Sequence, residues 1–172
     1  MNADTTPEKI EQDPDAHCML LGAICSLALD EILQCDNPQE EIIYETLLAM
    51  VNHLYWSNIS IVNTIVDCLN TFAQIYKEEL DPDGVIVQEV LTRVIDALNI
   101  HLRYYERNSR DGRGFIISKL FSCLLEWLMV IEPMILSETE LCQLVFDVIE
   151  YAIHVSSVSK KDNFAVHCKE QL

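Results

Sequence analysis

All five arginines of this 172-residue chain fall between Arg93 and Arg113, and four of them, Arg103, Arg107, Arg110 and Arg113, follow at three- or four-residue intervals. A guanidinium is a permanent cation with a planar fork of donors, suited to a carboxylate, a phosphate or an aromatic face. The cluster stands out because the chain has 28 acidic residues against 11 basic ones and a formal net charge of −17. Arg103 and Arg107 are expected at a helix C-terminus, where cations complement the helix dipole and can cap free carbonyls. Arg110 and Arg113 fall in the stretch from Glu106 to Gly114, which holds two of the four glycines. They are expected in a loop that can meet an anion or a protein partner.

The other chemically capable residues do not converge in sequence. The five histidines (His17, His53, His101, His154, His167) sit apart, with no HxxxH pair, whereas a metal site needs three or four ligands together. The seven cysteines are an odd number with no CxxC spacing, which fits reduced, buried thiols. No GxSxG elbow is present, and Asp111-Gly112-Arg113-Gly114 lacks the phosphate-loop lysine. Asp81-Pro82-Asp83-Gly84 supplies only part of a calcium loop. No catalytic residue, metal or cofactor is therefore expected, and the chain reads as non-enzymatic. Trp56, at a turn, is a candidate contact residue. Trp127, spaced helically with Leu120 and Leu124, is expected at the edge of the core.

A surface this acidic repels phosphate backbones, so nucleic acid is not an expected partner. Residues 1–14 are polar and acidic, without an apolar leader, and are expected to be disordered. The run from Phe115 to Ile131 approaches membrane-spanning length but contains Lys119 and Glu126, so no transmembrane segment is expected. Together with the reduced cysteines, this predicts a cytoplasmic protein.

What must position these residues is a series of six amphipathic helices. The first is expected from Asp15 to Gln34, with Leu21, Ile24, Cys25, Ala28 and Ile32 inward. Asn37-Pro38 reads as a cap and first residue of helix two, and Asn58 as the start of helix three. Asp81-Pro82 punctuates the start of helix four. Helix five is expected from about residue 115, carrying Ile117, Leu120, Phe121, Leu124, Leu128 and Ile131, until Pro133 stops it. Ser137-Glu138-Thr139-Glu140 forms a capping box before helix six, whose inward set is Leu141, Leu144, Val145, Val148, Ala152 and Val155. The expected organisation is a helical repeat domain over residues 15–155 and a frayed tail over 156–172. The fold class is all-α, a HEAT- or armadillo-like α-solenoid of six helices in three antiparallel pairs, with a closed six-helix bundle as the alternative.

Helices five and six also resemble a known family. The carrying residues are Phe121-Ser122-Cys123-Leu124-Leu125-Glu126-Trp127-Leu128, Glu132-Pro133-Met134-Ile135-Leu136, and Glu140-Leu141-Cys142 through Val148-Ile149-Glu150. This Cys-x-x-x-Trp-Leu helix, proline turn and acidic amphipathic helix resemble the helical solenoid of Ral GTPase-activating protein subunits, especially the non-catalytic β subunit. The resemblance implies a scaffold in a heterodimeric regulator of Ral-type small GTPases, related to the tuberin complex, with a catalytic subunit as partner. It carries over no catalytic residue, because the family's GTPase-activating module has no counterpart here. The alternative expectation is a HEAT- or armadillo-like adaptor that binds a basic peptide or helix in a groove.

Overall fold

Aspartate and asparagine start three of the helices, through side-chain oxygens that accept backbone N–H groups otherwise left without partners. The computed structural model describes residues 13–35, 38–76, 81, 83–107, 113–131 and 140–169, and no strand occurs among them. Six helices follow in order: α1 Pro14–Gln34, α2 Glu40–Val51, α3 Ile59–Ile75, α4 Val85–Arg107, α5 Arg113–Leu128 and α6 Leu141–Lys169. Asp13 caps α1 by accepting from Ala16 N at 3.1 Å, with Pro14 at the first helical position. Asn58 Oδ1 accepts from Ser60 N at 3.0 Å and Ile61 N at 3.2 Å, so the residue expected to open α3 does so.

Two starts differ from expectation. Helix α2 begins at Glu40 with Gln39 in the cap position, so Pro38 lies before the helix; Asn37 lies outside the described residues. In place of an Asn cap, the Glu31 carboxylate at the end of α1 holds the turn. It accepts from Gln39 N at 3.1 Å and from the Cys35 thiol at 3.3 Å. Before α4, Asp81 does cap the helix, but from across a turn. Gly84 N donates to Asp81 O at 2.9 Å, and Gly84 takes φ 65°, a left-handed conformation that glycine accepts without steric cost. The Asp81 carboxylate then reaches Ile86 N at 3.1 Å and Val87 N at 3.0 Å, and Tyr76 OH donates to it at 3.1 Å. Only 7 % of Asp81 is exposed, so these bonds offset the cost of burying a carboxylate.

The helices pack in a regular order. Helix α1 lies on α2 and α3, α3 on α5, α2 on α4, and α4 on α5 and α6. The most extensive packing between successive helices joins α4 to α5, which pairing by sequence spacing would separate. The core runs along the inner faces. It centres on α3 (Ile61, Val62, Ile65, Val66, Leu69, Phe72) and α4 (Val87, Val90, Leu91, Val94, Leu98).

Helix α5 is rotated by about one residue from its expected phase. Ile116, Leu120, Cys123, Leu124 and Trp127 are buried, whereas Ile117, Phe121 and Leu128 are half-buried. Trp127, expected at the core edge, is 0 % exposed and meets the Tyr76 ring edge-on at 6.2 Å between centroids. In α6, Leu141, Val145, Val148 and Val155 point inward as expected, but Leu144 is exposed. The backbone stays helical to Lys169, well past the point where apolar periodicity fades. The capping box at 137–140 lies outside the described residues except for Glu140.

Among the described residues, one helix is long and apolar enough to cross a membrane by length and composition. It is α1 rather than the Phe115 to Ile131 run. One face of α1 (Leu21, Cys25, Ala28, Ile32) packs into the core, while Met19, Leu20, Leu27 and Leu33 on other faces are exposed.

Candidate functional site

The arginine cluster divides into two environments. Arg103 and Arg107 are exposed on the last two turns of α4, where they complement the carbonyl end of the helix as expected. Both lie close enough to Tyr151 of α6 to act on it electrostatically. Burial pushes the Tyr151 phenol up from its usual range, and its hydrogen bond to Glu106 adds to the rise, while the two arginines oppose it. The phenol donates to Glu106 Oε2 at 2.9 Å and so ties α6 to α4 between the two arginines. An exposed cation pair beside a phenol–carboxylate link can receive an acidic side chain or a carbonyl from a partner.

Arg113 is placed differently from its expected loop. It is the first residue of α5 and is half-buried. Its guanidinium lies 4.5 Å from the centroid of the Tyr104 ring, and Nη1 is 3.3 Å from His101 Nδ1. His101 is 0 % exposed, and its Nε2 is 2.9 Å from the Leu54 carbonyl oxygen. A guanidinium can only donate and a carbonyl can only accept, which fixes the tautomer: Nδ1 accepts from Arg113, and Nε2–H donates to Leu54. Arg113 is therefore engaged in joining α5 to α4 and, through His101, to the turn after α2. Arg110 lies outside the described residues. The fifth arginine, Arg93, forms a 2.7 Å ion pair with Glu89 one turn earlier.

His101, Tyr104, Glu106 and Tyr151 were not singled out by sequence reasoning. His101 did carry a signal, because it keeps helical spacing with Val94 and Leu98 and adjoins Leu102 on the buried face of α4. A histidine in that register is a core residue and needs a partner at each ring nitrogen. Tyr151 and Glu106 carried none, since their pairing depends on how α6 crosses α4.

Trp56 is half-buried at the turn between α2 and α3. Its ring stacks at a tilt on His53 at 4.7 Å and on His17 of α1 at 5.0 Å. His53 is oriented by a 2.7 Å hydrogen bond between Nδ1 and Ala49 O. This aromatic triad pins the start of α1 to the turn, with the indole already against both imidazoles.

The buried thiols of Cys68 and Cys123 are poor nucleophiles. Burial pushes Cys123 up to about 12, with Glu126 adding to the shift. Cys68 of α3 is raised further because its thiol is hydrogen-bonded to Cys25 of α1 and is buried; the same bond lowers Cys25. No group of three or more His, Cys, Asp or Glu among the described residues is arranged to hold a metal ion. Comparison with models of known protein families, with curated proteins and with solved structures finds no match.

Proposed function

We propose that this chain is a non-catalytic helical scaffold, an α-solenoid of stacked helix pairs that works by holding a protein partner. The packing order carries this reading. Helices α1, α3 and α5 follow one another in one row and α2, α4 and α6 in a second, each helix resting on the one two places earlier. Extensive packing among the described residues joins α1 to α2 and α3, and α6 to α4. A closed bundle would instead bring its first and last helices together around a shared core. The chemistry supports the same reading: Arg113 and His101 are engaged in structural bonds, and the raised thiols of Cys68 and Cys123 are suited to packing.

We propose further that the partner is the catalytic subunit of a complex acting on Ral-type GTPases, and that this chain positions it. The support is the likeness carried by α5 and α6. Cys123 and Trp127 of its Cys-x-x-x-Trp pattern are both fully buried, so in this chain the pattern describes packing between helices. Arg103 and Arg107 are the residues offered for contact.

Capture of a purified catalytic subunit by the immobilised chain tests this. Capture by the wild-type chain, reduced about tenfold by Arg103→Glu with Arg107→Glu, is the expected result. Undiminished capture by the double variant removes that patch from the contact, and failure of the wild-type chain to capture the subunit removes the GTPase-complex reading.

A further inference from the structure

An open, largely apolar cleft lies between α5 and α6. Phe121 of α5 and Ile149, Ala152 and Ile153 of α6 line an open cleft of about 410 Å³, with Ser156 and Ser157 at one end. Phe146 and Ile153 on α6 are 64 % and 66 % exposed, and with Ile149 they recur at three- and four-residue spacing along one stripe. Such spacing on a helix surface forms a seam for another helix. Leu125 of α5 extends the apolar surface on the other bank at 62 % exposure. Single exposed apolar residues are ordinary, but a continuous strip across two helices marks a contact surface.

The fold itself says what shape of partner fits. Helix α3 rests on both α1 and α2, and α5 rests on both α3 and α4. Each time, one helix packs against two earlier ones. The cleft between α5 and α6 likewise presents two helices to an incoming one, so its geometry suits one more amphipathic helix.

Charge then selects the chemistry of that helix. Glu126, Asp147 and Glu150 are exposed beside Leu125, Phe146 and Ile149, on a chain with a formal net charge of −17. The nearest base on α5, Lys119, is committed to Asp67 of α3 at 3.5 Å. A second copy would bring like charges together, whereas Lys or Arg along the edges of an incoming helix would meet these carboxylates. We propose that the α5–α6 groove is a docking site for an amphipathic helix of a partner protein, with its apolar stripe against Phe146, Ile149 and Ile153 and basic residues on its flanks. This rests on the scaffold reading and names the class of segment such a scaffold holds, independently of the GTPase complex.

The test uses the full chain and a fluorescent synthetic peptide of Leu and Lys, about five turns long, with the leucines in one helical stripe. A second peptide of the same composition has its leucines scrambled. The expected result is saturable binding of the striped peptide, at least about tenfold weaker binding of the scrambled one, and at least about tenfold loss with either Ile153→Glu or Phe146→Ser. Both side chains are exposed, so unchanged helicity and melting confirm that the variants fold. Equal binding of the two peptides, or full binding by Ile153→Glu, overturns the proposal. So does a wild-type dimer in sedimentation that Ile153→Glu dissociates, because the groove would then belong to a second copy. No GTPase-complex subunit is present in this assay, so failure of the subunit capture experiment leaves its outcome untouched.

Discussion

His101 Nδ1 and Arg113 Nη1 lie 3.3 Å apart, so a fully buried imidazole receives a hydrogen bond from a half-buried guanidinium on the next helix. The other ring nitrogen reaches Leu54 O in the turn after α2, and one side chain thereby connects three segments.

His101→Ala deletes a buried ring and strands the Leu54 carbonyl, an expected cost of about 2–4 kcal/mol. Arg113→Ala should cost less, about 1 kcal/mol, because the guanidinium is half in solvent. Urea titrations of the two single variants and the double variant should give a coupling of about 1 kcal/mol. Strict additivity would show that the Arg113 contact contributes nothing to holding α5 against α4.

Asp81→Ala should destabilise the chain by about 2 kcal/mol, because it leaves the amides of Ile86 and Val87 without their acceptor in a buried place and removes the shorter of two Tyr76 hydroxyl contacts, the one to Asp81 O at 3.5 Å remaining. Tyr76→Phe removes one of the three bonds and should cost about half as much or less. The readout is the shift in denaturation midpoint. A larger effect from Tyr76→Phe than from Asp81→Ala would refute the assignment of Asp81 as the cap.

The two tryptophans should separate cleanly in fluorescence. Trp127 is fully buried, and Trp56 is half-buried between two histidines. In Trp127→Phe the remaining emission should shift to the red and quench readily with acrylamide; in Trp56→Phe it should be blue and protected. Among the described residues the indole Nε1 of Trp127 has no hydrogen-bond partner, so Trp127→Phe loses ring volume but no bond to them. It should therefore cost well under the roughly 3–5 kcal/mol expected of Trp127→Ala.

Alkaline pH should weaken the fold through the buried thiols. Cys123 titrates at about 12 in the native chain against an ordinary 9.0, so between those values the unfolded chain has released a proton that the native chain keeps. Stability then falls as pH rises, by about 1.4 kcal/mol per pH unit for each such group. Cys68 is raised as well and acts in the same sense, while Cys25 is lowered, so its contribution rises with pH only below 9.0 and is level through the decline. Cys123→Ala should lose about 1 kcal/mol near neutrality yet show a shallower decline above pH 9.0. An unchanged alkaline slope in that variant would assign the decline to other groups.

The helices were readable wherever polar residues interrupt the apolar ones, because the interruption fixes the phase. In α4, Gln88, Glu89, Arg93 and Asp96 mark the outer side, and the inward set Val87, Val90, Leu91, Val94, Leu98 and Leu102 is buried throughout, joined by Ile86, Ile95, Ala97 and His101. Helix α5 is different: Phe115, Ile116, Ile117, Leu120, Phe121, Leu124 and Leu125 are apolar nearly all round, so periodicity leaves the buried side undetermined by about one residue. That is how Trp127 was assigned to an edge. Arg113 departs from its expected loop for a related reason. Helix α5 begins at Arg113, earlier than Gly112 and Gly114 suggest, and the engagement of Arg113 with Tyr104 and His101 depends on residues a full helix end away.

The packing order has a kinetic consequence. Among the described residues, each extensive helix–helix contact joins elements at most two places apart in sequence, so closing any one of them spans at most one intervening helix with its flanking connections. Loop-closure entropy is then small at every step, and chains rich in such near-neighbour contacts cross low folding barriers. Refolding from urea is expected on the millisecond scale or faster. Any local cluster such as α3 with α4 and α5 can serve as the seed from which the remaining helices add outward.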